Sequence, residues 1–244
     1  MQYLFSNWKM YLSSGTTLEL AQALREVSSD GVKLAVFPNT ISFREVRQEL
    51  SDSDIEIGAQ NVSWTPQGAY TGAISAHLFA ESGATYALVG HSERRHVFGE
   101  GNDVIRKRLE ACIEEDLTPV LCVGETKEDR ENNKTEYRIK KQLMRALEGL
   151  ESAPKKLFVA YEPVWAIGTG DACEPAEAVR MIELIKSEIK QYVDVEVPVL
   201  YGGSVNPENM VSYVSHEAID GVLVGRASTD AKSYLDMVDA LKQI

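Results

Sequence analysis

Eight short apolar runs, each followed by a longer segment of helical period, succeed one another along the chain, and this alternation leaves few folds open. The runs are Tyr3 to Trp8, Leu34 to Phe37, Ile55 to Ala59, Tyr86 to Gly90, Pro119 to Val123, Leu157 to Tyr161, Val197 to Tyr201, and Gly221 to Val224. Several are nearly continuous in apolar character, as parallel strands covered on both faces are. Between them apolar residues recur every three or four positions, as in Leu20, Leu24 and Val27, or Val179, Ile182, Ile185 and Ile189. Two segments carry helix-start signals: Glu174-Pro175 puts proline in a first turn, and Asn206-Pro207-Glu208 sets a cap before a proline. No Pro- or Ser-rich linker and no shift in composition divides the 244 residues. The pattern predicts one domain over residues 1–244, an α/β fold with a closed eight-stranded parallel (β/α)8 barrel. The alternative is a doubly wound open sheet. That fold usually has fewer strands and a glycine-rich first turn, whereas Asn7-Trp8-Lys9-Met10 contains no glycine.

Charge and cysteine usage narrow the function classes. The 37 Asp and Glu against 25 Lys and Arg give a formal charge of −12, and the basic residues are scattered, which argues against a nucleic-acid groove or an anionic membrane patch. Any anionic substrate must then be held by a locally positive site working against the global field. Three cysteines are an odd number in a chain too long to need crosslinks, and Cys112 and Cys122 lie in apolar runs. Reduced thiols in a cytoplasmic protein fit best. No basic-then-apolar leader opens the sequence and no apolar run approaches a membrane span, so neither export nor a membrane is expected.

In a barrel the carboxyl ends of the strands share one face, where the chemistry collects. Asn7 and Lys9 follow the first strand, His91, Ser92 and Glu93 the fourth, and Glu162 the sixth. Glu162 stands between the strand 157–160 and a Pro-Trp segment ending in glycines, the pattern of a base with its own lid. Pro163 stiffens one end of that loop, and Gly168 and Gly170 loosen the other. His91 opens a polar stretch that reads as a helix start, where a second positive charge is opposed. A neutral imidazole there can donate to a carbonyl oxygen. Lys9 supplies a fixed ammonium for an oxyanion. Gly202, Gly203 and Ser204 after the seventh strand, with Gly225 and Arg226 after the eighth, let backbone N–H groups approach a phosphate. Gly168 adds another N–H once the lid closes. Taken singly, each feature has a bland reading: a buried turn, a structural histidine, a solvated lysine, ordinary β-α turns. His77, His96 and His216 read as surface or packing residues. No His or Cys pairs have ligand spacing, so no metal and no cofactor is expected.

Asn-Trp-Lys-Met at 7–10, Gly-Ala-Gln-Asn at 58–61, Gly-His-Ser-Glu-Arg-Arg at 90–95, Tyr-Glu-Pro-Val-Trp-Ala-Ile-Gly-Thr-Gly at 161–170 and Tyr-Gly-Gly-Ser at 201–204 resemble, in order and along the whole chain, the triosephosphate isomerase family. The resemblance implies a TIM barrel that interconverts dihydroxyacetone phosphate and D-glyceraldehyde 3-phosphate through an enediolate, in glycolysis and gluconeogenesis. It implies Glu162 as the base, His91 moving protons at the two oxygens, and Asn7 and Lys9 orienting and stabilising the enediolate. Glu93 is similar to a family carboxylate that supports the site near Lys9. Residues 60–75, from Gln60 through Thr71, are similar to a loop that inserts into a second subunit, which implies a homodimer with Thr71 near the neighbour's Asn7 and Lys9.

Three departures stand out against that pattern. Ala73 replaces a frequent glutamate, which removes a partner for Arg94 across the subunit contact. Arg226 replaces a common glycine and meets a steric cost if its position needs positive φ. Ser6 and Tyr11 replace a common glycine and asparagine, and the sequence offers no physical account of either change. Two other readings compete: another sugar-phosphate barrel, such as an epimerase or lyase, and a catalytically silent phosphate binder. The first usually needs a metal or a Schiff-base lysine inside the barrel. The second gains nothing from an aligned base and electrophile.

Overall fold

The computed structural model describes residues 1–167 and 172–244. Eight strands close into one all-parallel barrel in chain order. They are β1 (Gln2–Asn7), β2 (Val32–Phe37), β3 (Ile55–Ala59), β4 (Tyr86–Val89), β5 (Thr118–Val123), β6 (Phe158–Tyr161), β7 (Val199–Tyr201) and β8 (Gly221–Val224). Closure is made by β8 lying against β1, with Tyr3 opposite Gly221 and Ser6 opposite Val224.

Each apolar run is therefore a strand, with ends displaced by a residue or two for local reasons. β4 stops at Val89 because Gly90 turns with φ 73°, in the left-handed region. The seventh strand begins after Pro198, which has no N–H for the ladder, and the N–H of Val199 goes to the Asp220 carboxylate at 2.7 Å.

The helices are α1 (Ser14–Leu24), α2 (Phe43–Glu49), α3 (Ala76–Glu81), α4 (Ser92–His96), α5 (Asn102–Glu114), α6 (Lys127–Glu131), α7 (Thr135–Leu147), α8 (Pro175–Ile189), α9 (Met210–Val214) and α10 (Ala231–Leu241). Proline 175 opens α8 as its sequence predicts. The other proline signal is corrected. Asn206 and Asn209 exchange N–H to side-chain oxygen bonds, both 2.9 Å, in a turn that contains Pro207, and α9 starts only at Met210. Leu20 and Leu24 are buried on α1, as are Ile182, Ile185 and Ile189 on α8, whereas Val27 lies beyond the end of α1.

Two hydrophobic clusters result, and their membership follows strand alternation. The larger one fills the space between strands and helices. The smaller takes alternate strand residues such as Phe5, Tyr86, Leu88, Phe158 and Leu223. The Phe5 ring lies 4.8 Å from Tyr86 and 5.1 Å from Phe158, residues of strands that do not neighbour β1, so this cluster is the barrel interior. Its aromatic members Tyr86 and Phe158 begin their strands. Toward the carboxyl ends it holds Phe37, the last residue of β2, with the smaller Cys122, Ala160 and Leu223. Cys112, Cys122 and Cys173 are free and buried. Among the described residues no helix is long and apolar enough to cross a membrane.

Candidate active site

The carboxyl ends of the strands bring most of the sequence-selected residues into one cavity of about 280 Å³. Asn7, Lys9, His91, Glu162, Gly202, Gly203, Ser204, Gly225 and Arg226 line it. Glu93 stands beside it through Lys9, while Gly168 lies outside the described residues.

Glu162 follows the last residue of β6 and is only 2% exposed. Its own N–H bonds to Val123 O at 2.8 Å, which registers it against β5. One carboxylate oxygen accepts the Ser92 N–H at 2.7 Å, and the other lies 3.0 Å from His91 Nε2. The approach to β5 is tight. A Cβ at Gly124 would sit 1.7 Å from the Glu162 carbonyl oxygen, so only glycine fits there. Gln142, from α7, holds both sides of that glycine, accepting its N–H at 2.9 Å and donating to its carbonyl at 3.0 Å.

His91 is buried and caps α4, with Nδ1 accepting the Glu93 N–H at 3.2 Å. An Nδ1 that accepts leaves the proton on Nε2, the nitrogen facing Glu162, which is the neutral tautomer that can donate. Arg95, on α4, anchors the turn from within by donating to Gly90 O and Cys122 O at 2.8 and 2.9 Å. Burial lowers its pKa to about 10, so it is charged at neutral pH.

Lys9 has φ 48°, a left-handed conformation costly for a residue with a side chain. Two contacts hold it there. Its N–H bonds to Asn7 Oδ1 at 3.0 Å, and its carbonyl accepts Gln60 Nε2 at 2.8 Å, the same nitrogen that reaches Phe37 O at 2.9 Å. Gln60, expected at the start of an intersubunit loop, thus directs its side chain into its own chain. The Lys9 ammonium lies 2.8 Å from Glu93 Oε1. Burial raises the Glu93 carboxyl, and the Lys9 hydrogen bond and charge outweigh that and hold it below the ordinary carboxylate range.

The glycine loops differ from expectation in two details. The Gly202 N–H is already bonded to Tyr161 O at 2.8 Å, so it is not a free donor. Among the described residues, the N–H groups of Gly203 and Ser204 have no in-chain acceptor. Arg226 begins a short 3₁₀ turn, Arg226–Thr229, and is not among the positive-φ residues, so the expected steric cost does not arise.

The stem of the Glu162 loop is tied down on two sides. Ser204 Oγ donates to Ala166 O at 2.6 Å, and Trp165 Nε1 donates to Glu125 Oε1 at 2.7 Å. Burial raises the pKa of Glu125, a fully buried carboxylate that also accepts the Tyr161 hydroxyl at 3.2 Å. The sequence reading missed Glu125, although it follows β5 and the rule that located the other residues covers it. Gln60, directly after β3, falls under the same rule, whereas Gln142 on α7 left no such signal.

A second, larger groove of about 810 Å³ runs between the β1 loop and residues 60–75, lined by Met10, Ile41, Ala73, Ile74 and Phe98 among others. Met10 and Ile41 are 92% and 88% exposed. Arg94, lacking a glutamate at 73, pairs with Glu100 of its own chain through Nε at 2.9 Å and stacks over Phe98. Among the described residues no group of His, Cys, Asp and Glu is arranged to hold a metal.

Residues 2–241 match the family model described as triosephosphate isomerase. A protein of that name from Nostoc sp. is 44% identical over 239 residues, covering 96% of this chain and 97% of its own. Proteins of the same name from Dictyoglomus turgidum and Aquifex aeolicus are each 40% identical, covering 96% of both chains in each case.

Proposed function

The chain belongs to the triosephosphate isomerase family and interconverts dihydroxyacetone phosphate and D-glyceraldehyde 3-phosphate, and we propose an assignment of its residues to that reaction. Glu162 takes a proton from the carbon beside the ketone and returns it to the neighbouring carbon. Between those steps the electron pair left on carbon is carried by oxygen as an enediolate. His91, neutral with its proton on Nε2, donates to one substrate oxygen and takes the proton back from the other. Lys9 stabilises the oxyanion, Asn7 and Glu93 hold Lys9, and Gly203, Ser204 and the backbone of Arg226 receive the phosphate. Gly168 completes this grip when residues 163–170 close, and exclusion of water then protects the enediolate from losing phosphate. This family is itself the reference case for a glutamate base, a neutral histidine and a closing loop. The roles therefore carry over from it rather than arise independently.

The observation that carries the assignment is the contact of Glu162 with His91 beneath the cavity, with the Ser92 N–H on the other oxygen. To reach substrate carbon the carboxylate must leave Ser92, so binding and lid closure release the base. The test is turnover of glyceraldehyde 3-phosphate, coupled to reduction of dihydroxyacetone phosphate, with chelator present. Glu162→Gln is expected to lose several orders of magnitude in kcat, on the order of about 10⁴-fold, while still binding phosphate. Turnover comparable to wild type would remove Glu162 from the mechanism.

The same reading makes the chain one barrel domain over 1–244 that works as a cytoplasmic homodimer. Support for the dimer comes from the exposed apolar residues around the larger groove, which would be covered by residues 60–75 of a second copy with Thr71 at its tip. Three buried free thiols suit a reducing compartment. Sedimentation velocity at micromolar concentration should give a dimer; a monomer with full activity would remove that part.

A further inference from the structure

Charge is unevenly balanced around the catalytic cavity. Two cationic side chains line it, Lys9 and Arg226, and Glu162 adds a negative charge. Lys9 is already compensated by Glu93 at 2.8 Å. Arg226 forms no ion pair with a carboxylate among the described residues, which leaves it as the uncompensated cation of the lining. A chain of net charge −12 repels a phosphate dianion, and among the described residues Arg226 is the charge that offsets Glu162 and keeps the cavity from being net negative.

Arg226 is exposed, and one aromatic ring lies beside its head. Its guanidinium carbon lies 5.7 Å from the ring centre of Tyr11, within range of a cation–π contact. The two residues belong to loops after β8 and β1, strands that are hydrogen-bonded neighbours. Tyr11 is half-exposed and lines the catalytic cavity but not the larger groove.

We propose that the Arg226 side chain is a second phosphate-binding group, held at the cavity mouth by the Tyr11 ring, so that the anion meets a guanidinium as well as loop N–H groups. The planar fork of arginine suits two phosphate oxygens. The proposal rests on the isomerase reading for its substrate, but it requires only that a phosphate occupy the cavity.

Calorimetry with inorganic phosphate at low and at high ionic strength tests it. Arg226→Ala keeps the backbone N–H, and since position 226 does not need positive φ the alanine fits without strain. The dissociation constant for phosphate should rise about five- to tenfold at low salt, and the difference should shrink as salt rises. Arg226→Lys should recover part of the loss. Tyr11→Leu should weaken phosphate about two- to threefold through loss of the cation–π contact, and should add nothing to Arg226→Ala. In turnover, KM for the triose phosphate should follow the phosphate constant. Unchanged phosphate affinity in Arg226→Ala at low salt overturns the proposal, and an unchanged Tyr11→Leu removes the ring from it. A wild type that binds phosphate through Arg226 yet does not isomerise triose phosphates would leave this proposal standing and remove the isomerase reading.

Discussion

Replacing Gly124 by alanine should damage the enzyme through the backbone of Glu162. The added Cβ would stand 1.7 Å from the Glu162 carbonyl oxygen, where a normal C···O contact is about 3.3 Å, so the segments must separate by about 1.6 Å. Neither side yields cheaply. Moving Gly124 breaks its two bonds to Gln142 and leaves buried polar groups unpaired, at roughly 1–3 kcal/mol each. Displacing Glu162 stretches its contacts with Ser92 and His91, and a shift of about 1 Å in a catalytic group costs on the order of 10²-fold in rate. A division of the strain between the two sides should lower stability by about 2–4 kcal/mol, or roughly 5–12 °C in Tm for a chain of this size, and kcat by about tenfold or more. Urea unfolding and the coupled assay read the two arms separately. A Gly124→Ala variant within about 0.5 kcal/mol and threefold of wild type would refute the view that this contact sets the position of the base.

Lys9→Ala should weaken both substrate binding and turnover, and normal KM with normal kcat would mark Lys9 as a surface charge. In the intact protein the Glu93 carboxyl is held below its unfolded value of 4.5. Its ion pair therefore contributes stability above that pH, and the contribution is lost as pH falls through the depressed folded value. Side-chain carbon NMR should see the Glu93 titration move upward in Lys9→Ala; an unmoved titration would show that the lysine does not control it. Gln60→Ala removes the donor to the Lys9 carbonyl, leaves the Phe37 carbonyl with only the Trp8 N–H, and relaxes the left-handed turn. It should lower kcat/KM by about tenfold with little change in fold, on the scale of one or two lost buried hydrogen bonds, and unaltered kcat/KM would show that Asn7 alone suffices.

The strands and most of the site were legible because both depend on local patterns. Strand cores are apolar runs, and the proposed catalytic residues stand at or just beyond their carboxyl ends, so Asn7, His91 and Glu162 could be selected by position. Residues that act from a distance were not. Gln142 sits between Lys141 and Leu143 on α7 and reads as ordinary helix surface until the fold brings Gly124 to it. Gln60 directly follows β3, but its bonds to the Lys9 and Phe37 carbonyls depend on how neighbouring strands pack. The Gly202 N–H, taken as a phosphate donor, is consumed by a neighbouring strand end, and no local rule assigns a hydrogen bond between β6 and the β7 loop. Arg226 shows the converse. Its conformational cost was inferred from a family preference for glycine, and the backbone at this position turns out to suit any residue.

The aromatic filling of the barrel separates the two ends of the molecule. Tyr86 and Phe158 close the interior near the start of their strands, and Tyr86 ends in a hydrogen bond of 2.7 Å to Glu56. The plug lies away from the cavity lined by His91 and Glu162 at the carboxyl ends of the strands. The amino-terminal rim is thus free to change under selection for folding, solubility or heat tolerance while the chemistry at the opposite mouth stays fixed. Variants that stabilise the enzyme without slowing it should accumulate on that rim.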